Sequence, residues 1–228
     1  LQFKISAGKT MSADAANIYF TLGADGTSVT IGSNKDEFKT CENGIVVEDG
    51  KMYASIAIPH SKLGMTAADL KDGAAYAFSI IRISATSEHE YAGWLAWGAF
   101  FGANNAYNAN SSVDNVIVLR DKIASQGSVI ESKRAFTAPA IGSKITNDGW
   151  GEPAIKVDKN SYNTSLYRHN ADPEDCSMTI YTVWDENNLY IGVVSEETDV
   201  RGDEDSWEGD GLQFKISAGK TMSADAAN

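Results

Sequence analysis

Cysteine is nearly absent from this chain of 228 residues: Cys41 and Cys176 are the only two. Two thiols are too few for a disulfide framework or a cysteine zinc site. A pair of buried thiols is the plain reading, and one bridge between them the alternative. Positive charge is also scarce. Lys and Arg number 19 against 31 Asp and Glu, a net charge of −12. That balance argues against nucleic acid and anionic membrane surfaces, whose affinity comes from positive charge. It suits a soluble, secreted protein of the extracellular space or cell surface. No apolar run approaches the roughly 18 residues of a membrane span. The three histidines, His60, His89 and His169, are scattered, and no HExxH, GxSxG or CxxCH motif occurs. A non-catalytic protein is the expectation.

What the chain does have is a duplicated end. Leu1–Asn17 reads LQFKISAGKTMSADAAN, and Leu212–Asn228 reads the same. The two stretches are offset by 212 − 1 = 211 residues. Exact repeats point to arrays, so the unit must be found before a fold is assigned. The polar stretch Arg120–Ser128, after the apolar run Val116–Leu119, is the best seam. On this reading residues 1–121 are the C-terminal part of one module and 122–128 a linker. Residues 129–228 begin the next module, or the same one permuted. A tandem array, a filament protomer and a permutant with an overlap all fit. Neighbouring copies of the module are expected partners, and a spare copy of the duplicated strand is expected to swap.

The residue pattern is one of strands and turns. Ser177–Trp184 alternates, Asp185–Asn188 turns, and Leu189–Val194 runs back as a hairpin. Leu212–Ile216 alternates with Leu212, Phe214 and Ile216 at one parity. Ile18–Leu22 and Ser28–Ile31 form another pair. Gly44–Glu48 and Lys51–Ile58 flank Asp49-Gly50, a strong hairpin signal. Ala75–Ile83 and Val113–Leu119 complete the set, and Ser61–Leu70 carries a short helical turn. This predicts an all-β, antiparallel β-sandwich, split along the chain by the 211-residue repeat.

Four segments carry a family pattern. Trp184-Asp-Glu-Asn-Asn-Leu-Tyr-Ile191 resembles the hairpin, and Ser206-Trp-Glu-Gly-Asp-Gly-Leu-Gln-Phe214 the W-x-x-D strand, of family 9 carbohydrate-binding modules. Ala57-Ile-Pro-His-Ser-Lys-Leu-Gly64 resembles the element after their central hairpin. Ala138-Pro-Ala-Ile141 with Asp148-Gly-Trp150 is similar to their opening. When residues 129–228 are placed before residues 18–120, the four follow the family's order. The resemblance implies a jelly-roll type sandwich that holds a glycan or polysaccharide between tryptophans, often with structural calcium. It puts Trp207 on one wall and Trp97 or Trp94 on the other, with Gln213 where the family has a carboxylate. His60 stands where the family has a tryptophan. Trp150 and Trp184 match structural positions of the core.

Chemistry supports those residue types. Flat aromatic rings cover the C–H faces of a pyranose, and short polar groups read its hydroxyl rim. Trp94 and Trp97 have opposite parity, so one of them belongs to the core. The run Asp199–Asp210 gathers oxygen ligands of the kind calcium takes, with Asp199, Asp203, Asp205 and Asp210 as candidates. A solvated acidic loop is the competing reading. The chain thus reads as a carbohydrate-binding module repeated in tandem, with a structural filament subunit of degenerate sugar site as the alternative.

Overall fold

The structure, a computed structural model, describes residues 18–22, 29–33, 36–85, 91–97, 116–123, 129–158, 160–161, 164–167, 177–196 and 211–218. It is mostly β. In chain order the strands are β1 (Ile18–Leu22), β2 (Val29–Ser33), β3 (Glu42–Glu48), β4 (Lys51–Pro59) and β5 (Ala75–Ala85). There follow β6 (Tyr91–Trp97), β7 (Val116–Arg120), β8 (Ile130–Arg134), β9 (Ile155–Val157) and β10 (Thr164–Tyr167). The last three are β11 (Met178–Trp184), β12 (Asn188–Glu196) and β13 (Gly211–Ala218). Among the described residues helix is confined to single turns at Asp36–Thr40, His60–Leu63 and Asn147–Trp150.

All thirteen strands join one hydrogen-bonded ladder, which divides into two sheets at β5. Along one side of β5 runs β13. Its other side is shared by β7 at Ala75–Ala77 and by β6 from Ile80 to Ala85. The first sheet is therefore β2-β1-β13-β5-β6-β10, and the second is β7-β8-β11-β12-β4-β3, with β9 beside β11. The expected hairpins are present. In the β3–β4 turn Asp49 and Gly50 both take positive φ, 55° and 69°, the backbone that a two-residue hairpin requires. The expectation of a purely antiparallel body is corrected at β8, which runs parallel to both β7 and β11. Strands from either side of the expected 122–128 linker share ladders: β4 pairs with β12 over nine positions, β5 with β13, and β7 with β8.

The core explains the arrangement. Met52, Ala54, Ile56 and Ile58 of β4 pack in one cluster with Tyr76, Phe78 and Ile80 of β5 and with Leu212 and Ile216 of β13. The two sheets thus share an apolar interior. Yet β4 is buried at every position from Met52 to Ile58, as a strand covered on both faces must be. Its other face, through Tyr53 and Ala57, packs with Val183, Tyr190, Ile145 and Trp150. The cover there is the irregular stretch from Ala135 to Ala154. It is pinned by three hydrogen bonds: Ala135 N–H to Trp184 O, Gly142 N–H to Ser55 Oγ, and Ala154 N–H to Ile180 O. The cover comes so close that a Cβ on Gly44 would lie 2.5 Å from Gly142 Cα.

Among the groups buried with the core are a guanidinium and a thiol. Arg82 is fully enclosed and donates through Nε to Ser195 Oγ at 2.8 Å. Its Nη1 donates to the carbonyls of Ile83 and Gly211. Cys41 is a buried free thiol, and burial pushes its pKa up.

Candidate functional site

The irregular cover stands off the sheet along one stretch, and the space beneath it is a groove of about 890 Å³. Its floor and near wall come from β8 and β11, through Glu131, Lys133, Arg134, Thr182 and Val183. The far wall is the cover itself, from Ala135 to Ala140 and from Asp148 to Ala154. Parallel pairing sets Val183 opposite Lys133 and Trp184 opposite Arg134, which fixes the two strands side by side. Pro139 packs against Gly149, where a Cβ would lie 3.1 Å from Pro139 Cα and φ is +80°. That close approach ties the two halves of the far wall together.

The lining has a distinct electrostatic character. Lys122, Lys133 and Arg134 are balanced by Glu131, Asp148 and Glu152, so it is neutral within a strongly acidic chain. Phe136 is 99% exposed and presents a bare aromatic ring on the rim. Three lining residues carry buried polar atoms with no hydrogen-bond partner among the described residues: Glu131 Oε2, Trp150 Nε1 and Thr182 Oγ1. The other carboxylate oxygen of Glu131 accepts from Arg120 Nε at 3.0 Å, which holds the side chain in place. Arg134 lies over the Trp184 ring, 5.1 Å from its centroid, with Asp121 and Glu186 within 3.7 Å. Those three atoms are enclosed by protein, so what the groove offers a ligand is the exposed Phe136 ring beside the exposed side chains of Lys133, Arg134, Asp148 and Glu152, which can grip a neutral ligand rich in hydroxyls.

A second polar cluster is structural. His60 Nε2 faces the Asp185 carbonyl at 2.9 Å and must donate to it, so Nδ1 accepts from the Tyr76 hydroxyl at 2.6 Å. Burial lowers the His60 pKa and keeps the ring neutral. The Tyr190 hydroxyl donates to Asp185 Oδ2 at 2.7 Å, while Oδ1 accepts from the amides of Asn187 and Asn188. Burial pushes the Asp185 carboxyl up, but these bonds outweigh it and hold the pKa below its ordinary value. The Trp-Asp…Leu-Tyr pattern is therefore a hairpin lock, with no polar atom left for a ligand.

Of the residues expected to clamp a sugar, Trp97 is the one whose side chain is described. Trp97 is wholly buried, with its ring 6.1 Å from that of Phe78, because its parity on β6 points it into the core beside Leu95. Its ring faces are occupied by protein, so as a wall of the clamp Trp97 is corrected to a core residue. Trp94 lies on β6 opposite Ile83 and Tyr167, and Gln213 on β13 opposite Tyr19 and Ile81. Their side chains, and all of Trp207, Asp199, Asp203, Asp205 and Asp210, lie outside the described residues. Among the described residues no three His, Cys, Asp or Glu gather as a metal site, and no helix is long and apolar enough to cross a membrane. Trp150 and Trp184 are buried, as their motif positions suggest. Glu131, Phe136 and Thr182 are absent from the sequence reading. The signal for one of them is Phe136 itself, an aromatic set two residues after the basic pair Lys133-Arg134. Set against protein families, characterised proteins and solved structures, the chain matches none.

Proposed function

We propose that this chain is a non-catalytic carbohydrate-binding module, secreted and repeated in tandem, that holds a neutral glycan in the groove between β8, β11 and the Ala135–Ala154 cover. The observation that carries this reading is the pairing of a bare Phe136 ring with a charge-balanced, exposed polar lining. A charged ligand would favour a lining of one sign. A purely apolar ligand would desolvate the exposed charges of Lys133, Arg134, Asp148 and Glu152 with nothing to pair them. The two sheets and their shared core are compatible with the jelly-roll sandwich implied by the family resemblance. Asp199, Asp203, Asp205 and Asp210 are proposed ligands of a structural calcium, and Trp207 with Trp94 a separate aromatic surface.

Titration with soluble cell-wall oligosaccharides, read by tryptophan fluorescence and calorimetry, tests the assignment. Phe136→Ala removes the stacking ring and should cost about 1 kcal/mol, near fivefold in Kd. Arg134→Gln, which removes an exposed cationic donor from the lining, should weaken binding by a similar factor. Saturable binding that neither substitution changes would move the site elsewhere; no binding by the native chain would remove the function.

The filament reading is favoured by one fact, the identity of the two ends. Sedimentation of the native polypeptide separates it from the first, since a fibre subunit assembles without any sugar.

A further inference from the structure

The charges that line the groove can be matched one by one. Glu131 is held by Arg120, whose Nε donates to it at 3.0 Å. Arg134 has Asp121 at 3.7 Å and Glu186 at 3.6 Å. Glu152 accepts only from the neutral amide of Asn147, at 3.1 Å. Lys122, Lys133, Asp148 and Glu152 have no ion-pair partner among the described residues. Two cations and two anions of the lining are therefore unmatched.

The two signs do not mix along the lining. Lys133 belongs to β8, where Ile130 and Ser132 turn inward and are buried, so position 133 faces the cover. Lys122 lies two residues past the end of β7, the neighbour of β8. Both cations thus stand on the sheet side, whereas Asp148 and Glu152 belong to the cover. Each wall is held in place. β8 is paired on both sides, with β7 and with β11. Asp148 is followed by Gly149, which packs against Pro139, and by the buried Trp150. Ala135 and Ala154 fasten the cover to the sheet at either end. Among the described residues no ion pair joins the two walls. A ligand that is neutral overall can satisfy such walls with hydroxyls, or with a carboxylate and an ammonium of its own. The second way adds Coulomb attraction to each hydrogen bond.

We propose that the groove takes a zwitterionic saccharide, whose carboxylate meets Lys133 and Lys122 on the sheet wall and whose ammonium meets Asp148 and Glu152 on the cover. The inference rests on the glycan reading of the groove and narrows it, since such a ligand is neutral overall and dipolar across its width. A saccharide with a single charge leaves one wall unmatched. The separation of the signs also fixes which way round the ligand lies.

Four forms of one disaccharide test this on the full chain, by calorimetry at about pH 6, between the ranges of a carboxyl and an amino group. The parent is glucosamine linked to glucuronic acid. Its N-acetyl form keeps only the carboxylate, its glucuronamide form only the ammonium, and the doubly capped form neither. An exposed charge pair contributes up to about fivefold in Kd. The parent should bind about tenfold tighter than the doubly capped sugar, with each single cap between them, and high salt should shrink the difference. Lys133→Gln should remove most of the effect of the amide cap and keep that of the acetyl cap. Asp148→Asn should do the reverse. General loosening of the groove does not produce that crossed pattern.

If all four forms bind alike, or one charge alone matches the parent, the zwitterion assignment falls and the glycan reading stands. The same holds if none of the four binds while cell-wall oligosaccharides do; if those fail too, both readings fall. A substitution that lowers the effects of both caps equally would also overturn the proposal, because the charges are then not on the walls assigned to them.

Discussion

Gly192 sits in the middle of β12, opposite Tyr181 of β11 and Ser55 of β4. A Cβ there would lie 2.9 Å from Ile145 Cδ1, 2.9 Å from Trp150 Cζ3 and 3.0 Å from Trp150 Cη2. All three atoms belong to the cover that seals the outer face of the second sheet. Real Cβ atoms do not approach so closely, so Gly192→Ala has to push the Trp150 ring outward. Overpacking of this kind costs about 1–3 kcal/mol. Alanine returns about 0.5–1 kcal/mol because it loses less backbone freedom than glycine on folding. The net expectation is a loss of about 1–2 kcal/mol. With a urea dependence near 3 kcal/mol/M, the midpoint should fall by about 0.3–0.7 M at unchanged slope. Trp150→Phe shortens the ring and should cost less in the Gly192→Ala background than in the native one. The double-mutant cycle should show a coupling of at least about 0.5 kcal/mol. Because Trp150 also lines the groove, Gly192→Ala should weaken ligand binding although residue 192 lines no part of it. An unchanged or higher midpoint, or strictly additive effects, would refute the claim that the glycine exists to admit the indole.

Two further outcomes follow from buried polar groups. Thr182 is buried, and its hydroxyl has no partner among the described residues. Thr182→Val should therefore raise stability by about 1 kcal/mol and, because that hydroxyl is enclosed, leave glycan binding unchanged, which melting and titration of one variant can show. His60 is held neutral, with its folded pKa below the ordinary value of about 6.5. The unfolded chain then binds the extra proton first. This contribution is complete above pH about 6.5 and is lost as pH falls toward the folded pKa, by up to about 1.4 kcal/mol per pH unit. Denaturation at pH 7.5 and 5.5 should show the drop in the native chain and a smaller one in His60→Gln. The lowered carboxyl pKa of Asp185 acts only below about 3.8, outside that window.

The strands with clean alternation or a strong turn were legible in the sequence. Met178–Trp184 with Asn188–Glu196 and the Asp49-Gly50 hairpin carry their information locally, in apolar parity and in the positive φ of two residues. β8 was not legible as a strand between β7 and β11. Ile130-Glu-Ser-Lys-Arg134 is polar at four of five positions, and only tertiary placement buries Ile130 and Ser132. The parity argument for Trp94 and Trp97 was sound in form and left open which was interior; β6 buries Trp97. The groove was hidden because its residues are spread from Lys122 to Val183, and no local pattern unites them. His60 could be recognised as a departure from the family pattern, but not as the centre of a satisfied network, since Tyr76 and Asp185 are 16 and 125 residues away.

The groove and the packing of β4 have a common cause. A strand buried on both faces needs a lid on the outer one, and this lid is irregular chain that lacks ladder bonds of its own. It is fastened where its amides find acceptors, at Ala135, Gly142 and Ala154. Tyr53, Ala57 and Tyr190 lie under the well-packed part, with Ile145 and Trp150 pressed onto them. Beside β8 the lid stands off the sheet, and there the groove is lined by the exposed Lys133 and Arg134 as well as by Val129 and Val183. A lid selected only to seal would favour apolar side chains in those exposed places. Exposed polar side chains where the lid stands away from the sheet are what a binding groove needs and what a sealed core avoids.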